Sequence, residues 1–227
     1  MDSAIFRNET LGRDRMQAIA AAHPRAATFE GCILDDGDFS RLDLDGFRFV
    51  QCSVAGSRWL AASLEDSQWT KCRGGHCDFG AAQLSEARFA QCDLNNSRWR
   101  HATLSSVRFQ GCKLTGAQLQ DVTGWALEFQ DCLLVSADLR GLSFRKSRLQ
   151  GLDFSDADLS GCDFREAVFE GGSLRNVQTR QTRFEGADLR GADLGGLDLM
   201  DARHFRKAVI SHTQAAAALA AFGLIVA

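Results

Sequence analysis

Proline occurs once in the 227 residues, at Pro24, and tyrosine does not occur at all. Collagen-like and proline-rich disordered chains need far more proline, so both are excluded. No stretch of eighteen apolar residues exists, and no membrane span is expected. The first fifteen residues mix acids and bases without an apolar core, unlike a secretory leader. The net charge of -3 argues against a polycation that coats nucleic acid, so no direct nucleic-acid binding is expected. No glycine-rich phosphate loop, nucleophile elbow or paired-histidine motif is present. His23, His76, His101, His204 and His212 are scattered. The expectation is a binding protein, not an enzyme, without cofactor or metal. What the chain does have is sixteen phenylalanines, 21 glycines and eight cysteines. Without a leader, that many cysteines suggest reduced thiols in a cytoplasm.

An internal repeat organises these residues, and its period is five. Stepping by five from Phe29 gives Leu34, Phe39, Leu44, Phe49, Val54, Trp59, Leu64 and Trp69, and the register runs on to Leu199. Of these 35 positions, 32 hold Leu, Phe, Trp or Val, the exceptions being Gly74, Gly124 and Thr179. Two residues earlier in each unit stands a small group: eleven Ala, eight Cys, four Ser and two Gly, with a few Val, Leu, Phe or Thr. None of these 70 positions is charged, where random placement would leave about 17 charges. Neither a helix at 3.6 nor a strand at 2 explains such a period. A chain that turns a corner every five residues does, with one large and one small residue pointing inward. The other three face solvent, and glycine is frequent among them because corners can require positive φ.

Segments such as Ala157-Asp158-Leu159, Ala187-Asp188-Leu189 and Ala192-Asp193-Leu194 resemble the A(D/N)LXX motif of pentapeptide repeat proteins. The resemblance covers residues 27–203 and implies an all-β, right-handed quadrilateral β-helix with four pentapeptides per coil. Cysteines at 32, 52, 72, 92, 112 and 132 and aromatics at 29, 49, 69, 89, 109 and 129 repeat every twenty residues, as four units per coil require. One wall should stack aromatic rings and its neighbour thiols. All eight cysteines fall on the small inward position, so free, buried, slowly reacting thiols are expected. Cys72, His76 and Cys77 come nearest to a metal-ligand set, but the two cysteines belong to the inward pattern and a fourth ligand is missing.

The two ends depart from the repeat. Residues 1–26 precede it, and Arg13 to His23 has helical propensity with Pro24 to stop it. A short cap helix is expected there, with a frayed tail as the alternative. Beyond Leu199 the register fails at His204, with Phe205 one place late. Ser211-His212-Thr213-Gln214 has capping-box spacing, and Gly223 is placed to end an Ala-rich helix. Residues 204–227 are therefore read as a helix and apolar tail. Phe205, Val209, Ile210, Leu219, Phe222, Leu224, Ile225 and Val226 are too many apolar groups to leave wet. Gln214-Ala215 followed by Phe222-Gly223-Leu224-x-Val226 resembles the C-terminus of Qnr-type quinolone-resistance proteins. In that group, with the MfpA and AlbG types, the segment joins two rods end to end. The resemblance implies a homodimer through these residues, against the simpler reading of a helix that caps its own coil.

Charge supplies the remaining functional reading. Residues 28–57 are net -4, residues 58–113 net +3, and residues 150–201 net -6. The acids Asp153, Asp156, Asp158, Asp163, Glu166, Asp188, Asp193 and Asp198 belong to that last segment. In the Qnr, MfpA, McbG and AlbG types, an acidic rod mimics duplex DNA and engages DNA gyrase or topoisomerase IV. The resemblance therefore implies protection from a topoisomerase poison, or inhibition, through those carboxylates. The chain differs from that group in having no inserted loop and a mildly basic middle, with Arg58, Arg88, Arg98, Arg100 and Arg108. The alternative is a scaffold or effector module unrelated to topoisomerases.

Overall fold

The structure, a computed structural model, describes residues 4–195, 202–221, 223 and 224. It divides into two compact units, Met1–Leu133 and Leu134–Ala227. The N-terminal unit holds β1 (Ala4–Arg7), α1 (Arg13–Ala22), β2 (Ala27–Glu30), β3 (Arg48–Val50), β4 (Gln68–Thr70), β5 (Arg88–Ala90), β6 (Arg108–Gln110) and β7 (Glu128–Gln130). The C-terminal unit holds β8 (Arg148–Gln150), β9 (Val168–Glu170), a 3-10 turn at Ala202–Phe205 and α2 (His212–Ala221). From β2 onward, the strands of the N-terminal unit pair parallel at twenty-residue offsets, placing Phe49 opposite Phe29 and Trp69. The other walls are ladders of single bridged residues, such as Ser53, Arg73 and Asp93, again twenty apart. Each unit is thus a parallel β-solenoid with the expected four-sided coil.

Every fifth residue from Gly31 to Gly186 has positive φ, and only ten of these thirty-two corners are glycine. The expectation of glycine at corners understated how many other residues would take the left-handed conformation, at about 1 kcal/mol each. The compensation is a ladder bond from the same residue: Asp36 N–H donates to Ala55 C=O at 2.8 Å, and Gln51 N–H to Thr70 C=O at 2.8 Å. A second bond closes most corners, as where Ala62 N–H donates to Trp59 C=O at 3.0 Å.

Inside, the large positions stack by type. Phe29, Phe49, Trp69, Phe89, Phe109 and Phe129 form a column whose ring centroids lie 4.0 to 5.6 Å apart. A second column, Phe39, Trp59, Phe79 and Trp99, meets the first edge-on, with Trp59 at 88° to Trp69. Stacking and edge contacts each add to the burial of these rings. Each buried indole N–H needs an acceptor, and each has a serine two residues earlier: Trp59 to Ser57 at 2.7 Å, Trp69 to Ser67 at 3.0 Å, Trp99 to Ser97 at 2.8 Å.

The eight cysteines are free and buried. The thiols of the six-membered column donate to carbonyls of the coil below, for example Cys72 to Phe49 C=O at 3.3 Å and Cys112 to Phe89 C=O at 3.3 Å. Burial pushes the Cys77 and Cys162 thiols up to about 12. The Cys112 thiol and burial together also raise Cys132.

Both units show where the repeat is interrupted. β1 pairs with β2, so Phe6 stacks on Phe29 at 5.4 Å and the winding begins before residue 27. The helix expected at Arg13 follows, burying Met16 and Ile19, and Arg13 donates to the Asp38 and Ser40 carbonyls at 3.0 and 2.9 Å. At the last coil of the N-terminal unit, Gly124 takes a large inward position at φ +120. A Cβ there would lie 2.6 Å from Ser105 N and 2.9 Å from Leu104 C, so the coil approaches its neighbour more closely than any side chain permits. Trp125, at the outward position that follows Gly124, is 72% exposed. In the C-terminal unit, Phe184 N–H and Leu189 N–H donate to His204 and Val209 carbonyls, twenty residues on instead of nineteen. The late Phe205 is a one-residue insertion, and the winding continues to Val209.

Two outcomes follow from this packing. Gly124→Ala should lower stability by about 2–4 kcal/mol, because backbone must move. Gly111→Ala, whose Cβ would meet only Gln91 Cγ at 3.6 Å, should cost about 1 kcal/mol. Equal denaturation midpoints for the two variants would contradict the close approach. At pH 8 a thiol held at about 12 is ionised in only about one molecule in ten thousand. A thiol reagent should therefore count eight cysteines after unfolding, and in native buffer should leave Cys77 and Cys162 unmodified on the timescale of free cysteine.

Candidate interaction surfaces and the chain end

The carboxylates expected to form an acidic face lie on all four walls of the C-terminal unit. Asp153 and Asp193 share one ladder, Asp158 lies on a second, Asp163 on a third and Asp188 on the fourth. Asp156 and Glu166 stand at exposed corners, both with positive φ. Asp198 lies outside the described residues.

Most of these acids have local work. An aspartate before a large inward residue accepts from the backbone N–H two residues on, as Asp153 does from Ser155 at 2.9 Å and Asp158 from Ser160 at 2.9 Å. Asp163, 8% exposed, accepts a forked pair from Arg165 at 2.9 and 2.7 Å and a further bond from Arg183 at 3.0 Å. The Arg165 hydrogen bond holds its carboxyl below the ordinary range, against the cost of burial. Arg190 grips Asp188 in the same way and with the same effect. Arg175 reaches Asp193 at 3.1 Å, Arg145 and Lys146 reach Glu166 at 3.3 and 3.7 Å, and Asn176 donates to Asp156 at 3.2 Å. Residues 134–227 carry twelve acids and twelve bases, so the negative stretch is balanced by cations on either side of it in sequence.

The basic middle is neutralised likewise. Arg58, Arg88, Arg98, Arg100 and Arg108 pair with Asp38, Asp66, Asp78, Asp121 and Glu128. Of the weak metal candidates, Cys72 and Cys77 face inward while His76 is exposed at a corner.

The chain end is built as the capping-box spacing predicts. Ser211 N–H donates to Gln214 Oε1 at 2.7 Å, and Gln214 N–H donates to Ser211 Oγ at 3.2 Å. The other half of the Gln214 amide donates to Leu189 and Ala192 carbonyls, both at 2.8 Å, fastening α2 to the last regular coil. Gly223, at φ +77, ends the helix, with Leu224 N–H donating back to Leu219 C=O at 3.2 Å. Phe205 stacks on Phe184 at 5.0 Å and 5°, so it extends an aromatic column of its own unit. Ile210 is half-buried, whereas Val209, Leu219 and Leu224 are 44%, 41% and 55% exposed. Phe222, Ile225 and Val226 lie outside the described residues.

A solenoid with a five-residue period, two inward residues per period and left-handed corners defines the class of protein. Family models agree with that geometry: the pentapeptide repeat model matches residues 82–121, 128–171 and 162–203, and a pentapeptide repeat region model matches 25–99. The chain belongs to the pentapeptide repeat family. Among solved structures it is similar to full-length QnrB1, a plasmid-mediated fluoroquinolone resistance protein, with a TM-score of 0.64, 18% identity and 99% of each chain covered. It is also similar to HetL, a pentapeptide repeat protein involved in heterocyst differentiation regulation in the cyanobacterium Nostoc, with a TM-score of 0.60, 20% identity and coverage of 85% and 87%. At these identities the likeness concerns the fold. No curated protein sequence matches the chain.

Gln214 offers a direct check on the chain end. Gln214→Glu keeps the acceptor for Ser211 N–H but removes both donors to the Leu189 and Ala192 carbonyls. Amides of residues 212–221 should then exchange with solvent about ten- to a hundredfold faster, the equivalent of about 1–3 kcal/mol. Exchange unchanged from wild type would show that the tether does not hold the helix.

Proposed function

We propose that the chain acts by binding, not catalysis, and that its target is a type II DNA topoisomerase, DNA gyrase or topoisomerase IV, which it shields from a poison. The observation that carries this reading is the chain end. A capped, tethered helix with exposed Leu219 and Leu224 occurs where the sequence resembles the Qnr-type terminus. Such an end suits a second copy of itself, and the pair would present carboxylates from both copies. Asp156, Glu166, Glu170 and Asp193 are the exposed acids among the described residues of the C-terminal unit, available to a DNA-gripping surface. Glu166 and Asp193 would exchange their own arginine partners for those of the enzyme, so binding should weaken steeply with salt. QnrB1 is described as a fluoroquinolone resistance protein, which fits this reading without fixing the poison. No described helix is long and apolar enough to cross a membrane.

A second reading has its own support. The balanced charge of residues 134–227 and the spread of acids over four walls suit a scaffold or effector of other purpose. Gyrase supercoiling, titrated with the protein with and without a quinolone, separates the two. Restored supercoiling in the poisoned reaction, or inhibition without poison, is expected at micromolar protein. No effect at low salt would end the topoisomerase reading. Leu219→Asp should sediment as a monomer and lose most of that effect, and an unchanged dimer mass would rule out end-to-end pairing.

A further inference from the structure

Five cations of the N-terminal unit, Arg41, Arg48, Lys71, Arg73 and Lys113, form no ion pair among the described residues, whereas each of the unit's other arginines does. Three of the five line one groove of about 280 Å³. Its sides are two rows of outward residues, Lys71, Gln91 and Gly111 along a corner and Arg73, Asp93 and Lys113 along the adjoining ladder. Its floor is the turn of chain at Cys72 and Cys92, whose side chains point into the core. Gly111 has no side chain to fill the corner row, and a Cβ there would meet only Gln91 Cγ at 3.6 Å, so the groove is open at that coil.

Three exposed cations against one carboxylate leave this groove net positive on a protein whose total charge is negative. Lys71 and Arg73 flank Cys72 within a single coil, and Lys113 stands two coils from Arg73, about 9.5 Å away at ordinary strand spacing. Asp93 lies on the rung between them, yet it accepts from Asn95 N–H and pairs with neither. On the rest of the unit an arginine and a carboxylate one coil apart find each other; here they do not, and like charges remain side by side. Such an arrangement costs stability unless an anion occupies it. A guanidinium fork, an ammonium and the Gln91 amide together offer more donors than a carboxylate can accept, and they suit the three oxygens of a phosphate.

We propose that this groove is a binding site for a phosphate group, held principally by Lys71 and Arg73 with Gln91 and Lys113 at its far side. Inorganic pyrophosphate and a short single-stranded oligonucleotide present that chemistry as a free ion and as a backbone. Titration calorimetry at low salt should give saturable binding of at least one of them to the full chain. Tighter pyrophosphate would identify a small phosphorylated ligand, and a tighter oligonucleotide a nucleic-acid strand. Either affinity should fall at least tenfold in Lys71→Glu and in Arg73→Glu, and should stay within twofold in Arg41→Glu, an unpaired cation outside the groove. All three side chains are exposed, and unchanged melting would confirm that the variants fold. Saturable binding by neither probe would overturn the site, as would equal loss in Arg41→Glu or equal competition by succinate. The experiment contains no topoisomerase, so its outcome is independent of the gyrase assay.

Discussion

Every corner of the coil depends on one residue held at positive φ, and its N–H characteristically donates to the coil above. The constraint is unusual because side chains occupy most of these corners, and each tolerates a conformation that L-residues avoid. One backbone bond per corner offsets a cost of similar size, so no single corner stabilises the fold by much. Stability comes from repetition: aligned corners stack the walls, stacked walls align the aromatic columns, and the columns exclude water from the ladder bonds. Glycine becomes indispensable only where backbone meets backbone, as at Gly124, and not wherever φ is positive.

The same constraint explains what could be read from the residues alone. A five-residue period with two uncharged positions leaves little freedom, so the solenoid, the inward thiols and the aromatic column beginning at Phe29 follow directly. The capping box at Ser211 and the helix stop at Gly223 were readable because they are local patterns. The second column at Phe39, Trp59, Phe79 and Trp99 obeys the same twenty-residue spacing, and the Ser-x-Trp pairs announce its buried indoles. Trp125 was readable as an outward residue, because it follows the large inward position held by Gly124, but the close approach of that coil to Leu104 and Ser105 was not.

Charge was read least well, for a geometric reason. A stretch of twenty residues visits all four walls, so counting charges along the chain averages over surfaces that face different ways. Interactions run within a coil, as from Arg165 to Asp163, and between coils, at separations such as twenty for Arg58 with Asp38 and twenty-two for Arg148 with Glu170. Arg145 and Lys146 precede the acidic stretch yet meet Glu166 inside it. Cations that precede the acidic stretch therefore pair with acids inside it, and Arg165, Arg175, Arg183 and Arg190 pair with acids of the stretch itself.

That pairing limits how this surface can recognise anything. Exposed pairs contribute little to stability, commonly below about 1 kcal/mol, so a partner can displace one charge of a pair at small cost. An interface built on Glu166 and Asp193 would work by such exchange, with each arginine released to solvent as the partner's cation arrives. A surface built on Lys71, Arg73 and Lys113 has no pair to break. The two modes are physically distinct even though both weaken with salt, since exchange leaves the count of protein ion pairs unchanged and filling an unpaired groove increases it. The fold accommodates both because the inward positions alone determine the winding, which leaves each outward residue to be set by what it must meet.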